Sequence, residues 1–171
     1  MGGVRSGLRI VTAPEALALL EEGWPTKALS LVGDDLRFPL GSFGPHHLVL
    51  RFHDVEAEVE GLVAPTVKQL RQALAHTKDL RPDERLLVHC HAGKSRSPAM
   101  ALGILVQAGM SPSAALEHVR TVRPELILNR LMIRQLDRLL DLQGELVAVV
   151  DAHYRSLGPD ALLPDRGELN L

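Results

Sequence analysis

The chain has 171 residues, 46% of them hydrophobic and 23% charged, with a net charge of −2 and one cysteine. That length suits one domain with a substantial core. The near-neutral balance gives no overall basic field for nucleic acid, and a lone cysteine excludes an internal disulfide framework and suits a reducing compartment. No apolar run reaches the ~18 residues of a membrane span. The opening Met-Gly-Gly-Val-Arg-Ser lacks the apolar core of a secretory signal, so a cytoplasmic setting is expected. Gly2 and Ser6 fit the N-myristoylation pattern, which is too loose to carry weight alone.

Residues 8–11 read as a short strand. Thr12 follows as an N-cap, with Pro14 in the first turn of a helix over 15–22 that stops at Gly23. Residues 28–32 form a buried strand closed by Gly33-Asp34-Asp35, and the glycine- and proline-rich stretch 37–45 is a loop. A strand over 47–52 delivers His53 and Asp54 at its C-terminal end. Residues 55–61, with Glu56, Glu58 and Glu60, make a solvated loop. Pro65 opens a helix with an apolar stripe of Val67, Leu70 and Leu74, and Lys68, Arg71 and Gln72 face out.

After the turn at 81–84, residues 86–88 form a strand, and 98–106 form a helix that is apolar nearly all round and ends at Gly109. Such a helix belongs in the centre of the molecule. Ser111-Pro112 starts another helix that runs to about Val122, and Arg123-Pro124 breaks the chain. A last long pattern from Leu128 sets Met132, Leu136, Leu139 and Leu140 on one side, with Arg134, Asp137, Arg138 and Asp141 on the other. Gly144 divides it from a segment over 145–156. The expected fold is α/β, with a single central, mostly parallel sheet flanked by helices on both faces. It occupies one domain, 1–157, followed by a tail, 158–171.

Between the 86–88 strand and the next helix lies His89-Cys90-His91-Ala92-Gly93-Lys94-Ser95-Arg96-Ser97. A tight loop ahead of a helix can aim its backbone N–H groups inward at the helix's positive end, which makes an anion site. Arg96 adds a planar fork of donors for two oxygens of a tetrahedral oxyanion. Cys90 faces whatever that cradle holds, in a field that favours thiolate over thiol. A sulfur nucleophile aimed at bound phosphate is the chemistry this arrangement offers.

Alternative readings stand beside it. Cys90 as a buried structural cysteine is the bland one. Ser97 can stabilise the sulfur as it leaves, cap the helix, or do both. His89 and His91, two apart, could join His53 or His46 and His47 at a metal, although the thiolate and arginine need none. Asp54, on a loop after a strand, is the candidate proton donor to a leaving oxygen. Glu56, Glu58, Glu60, Asp34 and Asp35 are its rivals.

His-Cys-x5-Arg-Ser resembles the signature of the cysteine-based protein tyrosine phosphatase superfamily. The chain is similar to its compact dual-specificity branch, small bacterial members in particular, over roughly residues 26–142. The resemblance implies a dual-specificity phosphatase-like fold and the phosphate-binding loop His91-Ala92-Gly93-Lys94-Ser95-Arg96. It gives His89 a hydrogen bond within the loop that helps set the thiolate without acid or base duty. Arg123-Pro124, Asn129 and Gln135-Leu136 resemble the later family signature, in which Asn129 would hydrogen-bond the loop backbone. Leu128 and Met132 depart from the usual proline and aromatic.

The function implied is hydrolysis of phosphotyrosine, extending to phosphoserine and phosphothreonine monoesters, through a phosphocysteine, with no metal or cofactor. Partners would be a phosphorylated protein or small aryl phosphate, and inorganic phosphate or other oxyanions. Neither nucleic acid nor membrane is expected, since no polybasic surface accompanies the loop. Three alternatives remain: a phosphoinositide or inositol polyphosphate phosphatase, which His91 and Lys94 favour; a phosphate-binding module without turnover; and a rhodanese-type sulfurtransferase, whose loop is typically one residue shorter. Arsenate reductases would need further cysteines.

Overall fold

The computed structural model describes residues 7–34, 43–44 and 46–158. Gly2, Ser6, Asp35, most of the 37–45 stretch and the tail beyond Gly158 lie outside the described residues. Four strands, β1 (Leu8–Val11), β2 (Lys27–Val32), β3 (His47–Arg51) and β4 (Leu86–His89), form one sheet. Its order is β1-β4-β2-β3 and every pairing is parallel. The central strands are apolar runs because both their faces are covered. Leu29, Leu31, Leu86 and Val88 point into the main core. Their alternates Ala28 and Leu87 pack on the other face against Ala16 and Leu20.

That second face is covered by α1 (Ala13–Glu21). The main core takes side chains from α2 (Val67–Thr77), α3 (Arg96–Gln107), α4 (Pro112–Val122), α5 (Arg130–Leu139) and α6 (Glu145–Ser156). The helix starts follow from capping: Thr12 and Glu15 form a reciprocal box, as do Thr66 and Gln69, and the Ser111 side chain caps α4. The second box puts the start of α2 at Val67 rather than Pro65. Val67 therefore sits in the first turn and is 39% exposed, and the buried row is Leu70, Ala73, Leu74 and Thr77. Every residue of α3 from Arg96 to Leu105 is buried. At Gly103 a Cβ would come within 2.7 Å of a Leu136 methyl, so α5 rests directly on α3.

One charged residue departs from the pattern. Asp137, expected on the solvent face with Arg134 and Arg138, is only 5% exposed. Its carboxylate accepts the backbone N–H groups of Gly144 (2.8 Å) and Leu146 (2.9 Å), with Val147 at 3.4 Å. The first turn of α6 has no side-chain cap of its own, and four orphan N–H groups need an acceptor. An anion there also opposes the helix dipole. Arg134, Arg138 and Arg155 consequently line a cleft of about 500 Å³ between α5 and α6, with Asp151 paired to Arg130.

Candidate active site

The loop from Cys90 to Ser95 leaves the end of β4 and enters α3. Its carbonyls are bound from outside. Ala13 N–H donates to the His91 carbonyl (3.0 Å) and Ile127 N–H to that of Lys94 (2.9 Å). The Arg123 guanidinium donates to the Ala92 carbonyl (3.1 Å). In a trans peptide the C=O and N–H point in opposite directions. Drawing those three carbonyls outward therefore turns the N–H groups of Ala92, Gly93 and Ser95 inward, which builds an anion cradle from backbone alone. Ser95 is the N-cap of α3 but makes no side-chain cap bond, so the helix's positive end stays open to the loop. Capping is thus not the role of Ser97.

Gly93 is required by this geometry. Its φ is +68°, and a Cβ would lie 2.8 Å from the Val11 carbonyl carbon and oxygen, where the loop crosses the start of α1. Both objects are backbone and cannot swing aside. Gly93→Ala should lose about 1–3 kcal/mol of stability from left-handed strain and overlap. Thermal denaturation would show this as a drop of several degrees, together with weaker phosphate binding. An unchanged melting temperature with unchanged binding would refute this reading of the loop.

Within the cradle, Cys90 is 2% exposed and its Sγ lies 3.2 Å from the Ser97 hydroxyl, which can donate to a thiolate. Arg96 is 7% exposed, and its Nη1 donates to the Phe52 carbonyl (2.7 Å). Its Nε is buried without a protein partner, an unmet donor of the kind an oxyanion satisfies. Asp54 follows β3. Its Oδ1 accepts from the Ser95 hydroxyl (2.8 Å) and from the Asn129 amide (2.8 Å).

Asn129 therefore has different partners from the loop-backbone contact the resemblance implied. Its amide also donates to the Val55 carbonyl (3.2 Å), and its oxygen accepts from Met132 N–H (3.0 Å) as the cap of α5. The loop backbone is bound instead by Ala13, Arg123 and Ile127. Glu56 is engaged with the backbone N–H of Arg130 (2.8 Å), Glu58 and Glu60 are exposed, and Asp34 sits in an exposed turn after β2.

His89 is buried, and burial holds its ring well below the usual value, at about 4. The ring is neutral at pH 7. The unfolded chain takes up this proton first as pH falls, so the folded state loses stability between about 6.5 and 4. His91 is exposed at the rim. Lys94 pairs with Glu125 at 2.5 Å, and that contact lowers the carboxyl's pKa. Among the described residues no three His, Cys, Asp or Glu side chains converge as metal ligands.

No protein-family model matches the chain. Human DUSP28 superposes with a TM-score of 0.58 at 23% identity, covering 81% of this chain and 94% of that one. Tk-PTP in its active form gives 0.55 at 24%, covering 78% and 88%. PTPMT1 in complex with PI(5)P gives 0.55 at 19%, again over 78% and 88%. The fold is that of the dual-specificity phosphatases. By sequence, phosphatidylglycerophosphate phosphatase PTPMT2 of Arabidopsis thaliana is 32% identical over 98 residues. The match takes in 54% of this chain and 40% of the plant protein, so the chain spans less than half of that relative.

Within this phosphatase fold, sequence reasoning named Cys90, Arg96, Asp54 and Asn129 but not the residue that joins them. Ser95 reads from the sequence as part of the loop, and in the structure it also links the loop to Asp54 across 41 positions of sequence. Arg123, part of an Arg-Pro chain break that resembles the later family signature, serves as a loop clamp. Neither contact has a local pattern in the sequence, since both depend on how β3 and the α4–α5 turn are brought to the end of β4.

Proposed function

We propose that the chain is a cysteine-dependent phosphatase that hydrolyses phosphate monoesters through a phosphocysteine. The observation that carries this reading is the 2.8 Å bond from Ser95 to Asp54, which ties a carboxyl to the loop that begins with the buried sulfur. The Cys90 thiolate attacks phosphorus while Arg96 and the inward amides hold the equatorial oxygens. Asp54 is anchored through Oδ1, so Oδ2 carries the proton delivered to the leaving oxygen. The resulting carboxylate then takes a proton from water as that water attacks the phosphocysteine. Phosphate departs, the thiolate returns, and Ser97 stabilises the sulfur as it leaves. No step needs a cofactor.

For substrate, the reading favoured is a phosphotyrosine peptide or small aryl phosphate. Lys94 supports it, because its ammonium is already matched by Glu125 and adds little attraction for a second phosphate. A second reading, a phosphate monoester on a glycerophospholipid, draws support from the plant relative's name and from PTPMT1 bound to PI(5)P. In the sequence, the missing basic surface speaks against lipid. That argument weakens at α5, where Asp137 turns inward and leaves Arg134 and Arg138 beside Arg155.

A panel of purified chain on a phosphotyrosine peptide, an aryl phosphate, phosphatidylglycerophosphate and PI(5)P in mixed micelles decides between them. The favoured reading expects kcat/KM at least about tenfold higher on the aryl esters. A reversed order assigns the enzyme to lipids, and no hydrolysis of any of the four would leave a binding module.

A further inference from the structure

His89 does not stand alone behind Cys90. Its Nδ1 lies 3.1 Å from the Cys90 carbonyl, and its Nε2 lies 2.6 Å from the Ser30 hydroxyl. The same hydroxyl lies 2.6 Å from Nε2 of His47. Ser30 comes from the middle of β2 and is fully buried, while His47 is the first residue of β3 and half-buried. The parallel register places Ser30 opposite His89.

Proton positions along this line follow from what each atom can do. A carbonyl only accepts, so His89 Nδ1 must carry hydrogen. In the neutral ring, Nε2 is then an acceptor, so the Ser30 O–H donates to it. A hydroxyl has one hydrogen, so toward His47 the Ser30 oxygen can only accept, and His47 Nε2 must be the donor. The chain runs one way, from His47 to Ser30 to His89 to the Cys90 carbonyl. Burial, the first cause for both rings, holds His47 as well as His89 below the ordinary histidine value, which agrees with neutral rings.

We propose that Ser30 and His47 are positioning residues for the candidate reaction, acting as a directional hydrogen-bond relay that fixes the His89 ring and, through it, the peptide after Cys90. A Cys90 carbonyl held by His89 is turned away from a bound oxyanion. The N–H on the far side of that peptide belongs to His91, and it is thereby aimed to the cradle side beside the sulfur. The relay is the fourth outside hold on the loop, after those on the His91, Ala92 and Lys94 carbonyls. It differs from them in coming from the sheet and in acting next to the nucleophile. The inference rests on the phosphatase reading for its kinetic consequence but not for its hydrogen-bond direction.

Two measurements on the full chain keep those apart. Nitrogen-15 spectra of the histidine rings should show His89 as the Nδ1–H tautomer and His47 as the Nε2–H tautomer. Either ring in the opposite form overturns the relay, whatever the enzyme hydrolyses. In kinetics on an aryl phosphate, Ser30→Ala and His47→Phe should each lower kcat/KM about 3- to 10-fold, the worth of one hydrogen bond.

The double variant should be no worse than the poorer single one, because both break one chain. His47→Gln, which keeps an N–H donor, should recover most of the loss. Additive losses, or a glutamine variant no better than phenylalanine, would reduce both residues to packing. Wild-type protein with the expected tautomers and no phosphatase activity would instead overturn the function proposed above and leave the relay standing.

Discussion

Cys90→Ser is expected to lose turnover by at least about 10⁴-fold while still binding inorganic phosphate. Removing a nucleophile leaves only binding and electrostatic help, which falls short of the full rate by several powers of ten. The cradle should survive because the sulfur does not build it. Ala13, Arg123 and Ile127 hold the loop carbonyls, and Arg96 is fixed on the Phe52 carbonyl. Serine is also close to cysteine in size, and the Ser97 hydroxyl at 3.2 Å offers it a partner. Calorimetric titration with phosphate and steady-state assays on one preparation test both halves. Hydrolysis near the wild-type rate in this variant would remove Cys90 from the chemistry.

Asp54→Asn should lower kcat by about 10²–10⁴-fold, the usual contribution of a positioned acid. The asparagine oxygen can still accept from Ser95 and Asn129, so the anchor remains and only the proton is lost. The loss should be larger on an alkyl phosphate than on an aryl one. A phenolate, with a conjugate acid near pKa 10, departs more readily without help than an alkoxide does. Glu56→Ala is the informative control, because Glu56 is bound to the start of α5. If that variant loses kcat by about 10²-fold or more and Asp54→Asn does not, the acid is Glu56.

Much of this architecture is legible in the sequence because local rules determine it. Thr12 and Glu15, Ser111 and Pro112, and Gly144 mark helix starts that the structure reproduces within a residue or two. The spacing from Cys90 to Arg96 between an apolar strand and an apolar helix points to the cradle by itself. Apart from Val67, what was not legible depends on long-range placement. Val67 has the right period for a core stripe, but capping by Thr66 puts it in an exposed first turn. Asp137 has the polarity of a surface residue, and only the return of α6 after Gly144 gives its carboxylate something to cap. Asn129 carries the family's letter at the expected place, yet it holds Asp54 and Val55. Ser30 reads as an ordinary strand residue, and His47 as a strand start or a candidate metal ligand, until the sheet order sets β2 between β4 and β3.

The most direct test of the central claim is to trap the intermediate. Purified wild-type chain is mixed with an aryl phosphate, quenched with acid within the first turnovers, digested, and the peptide carrying Cys90 weighed. The account predicts one added phosphoryl group on that peptide, located on sulfur, and none in Cys90→Ser under the same quench. Sustained hydrolysis by wild-type protein, with the phosphoryl group on another residue or on none in quenches across the whole first turnover, would contradict it.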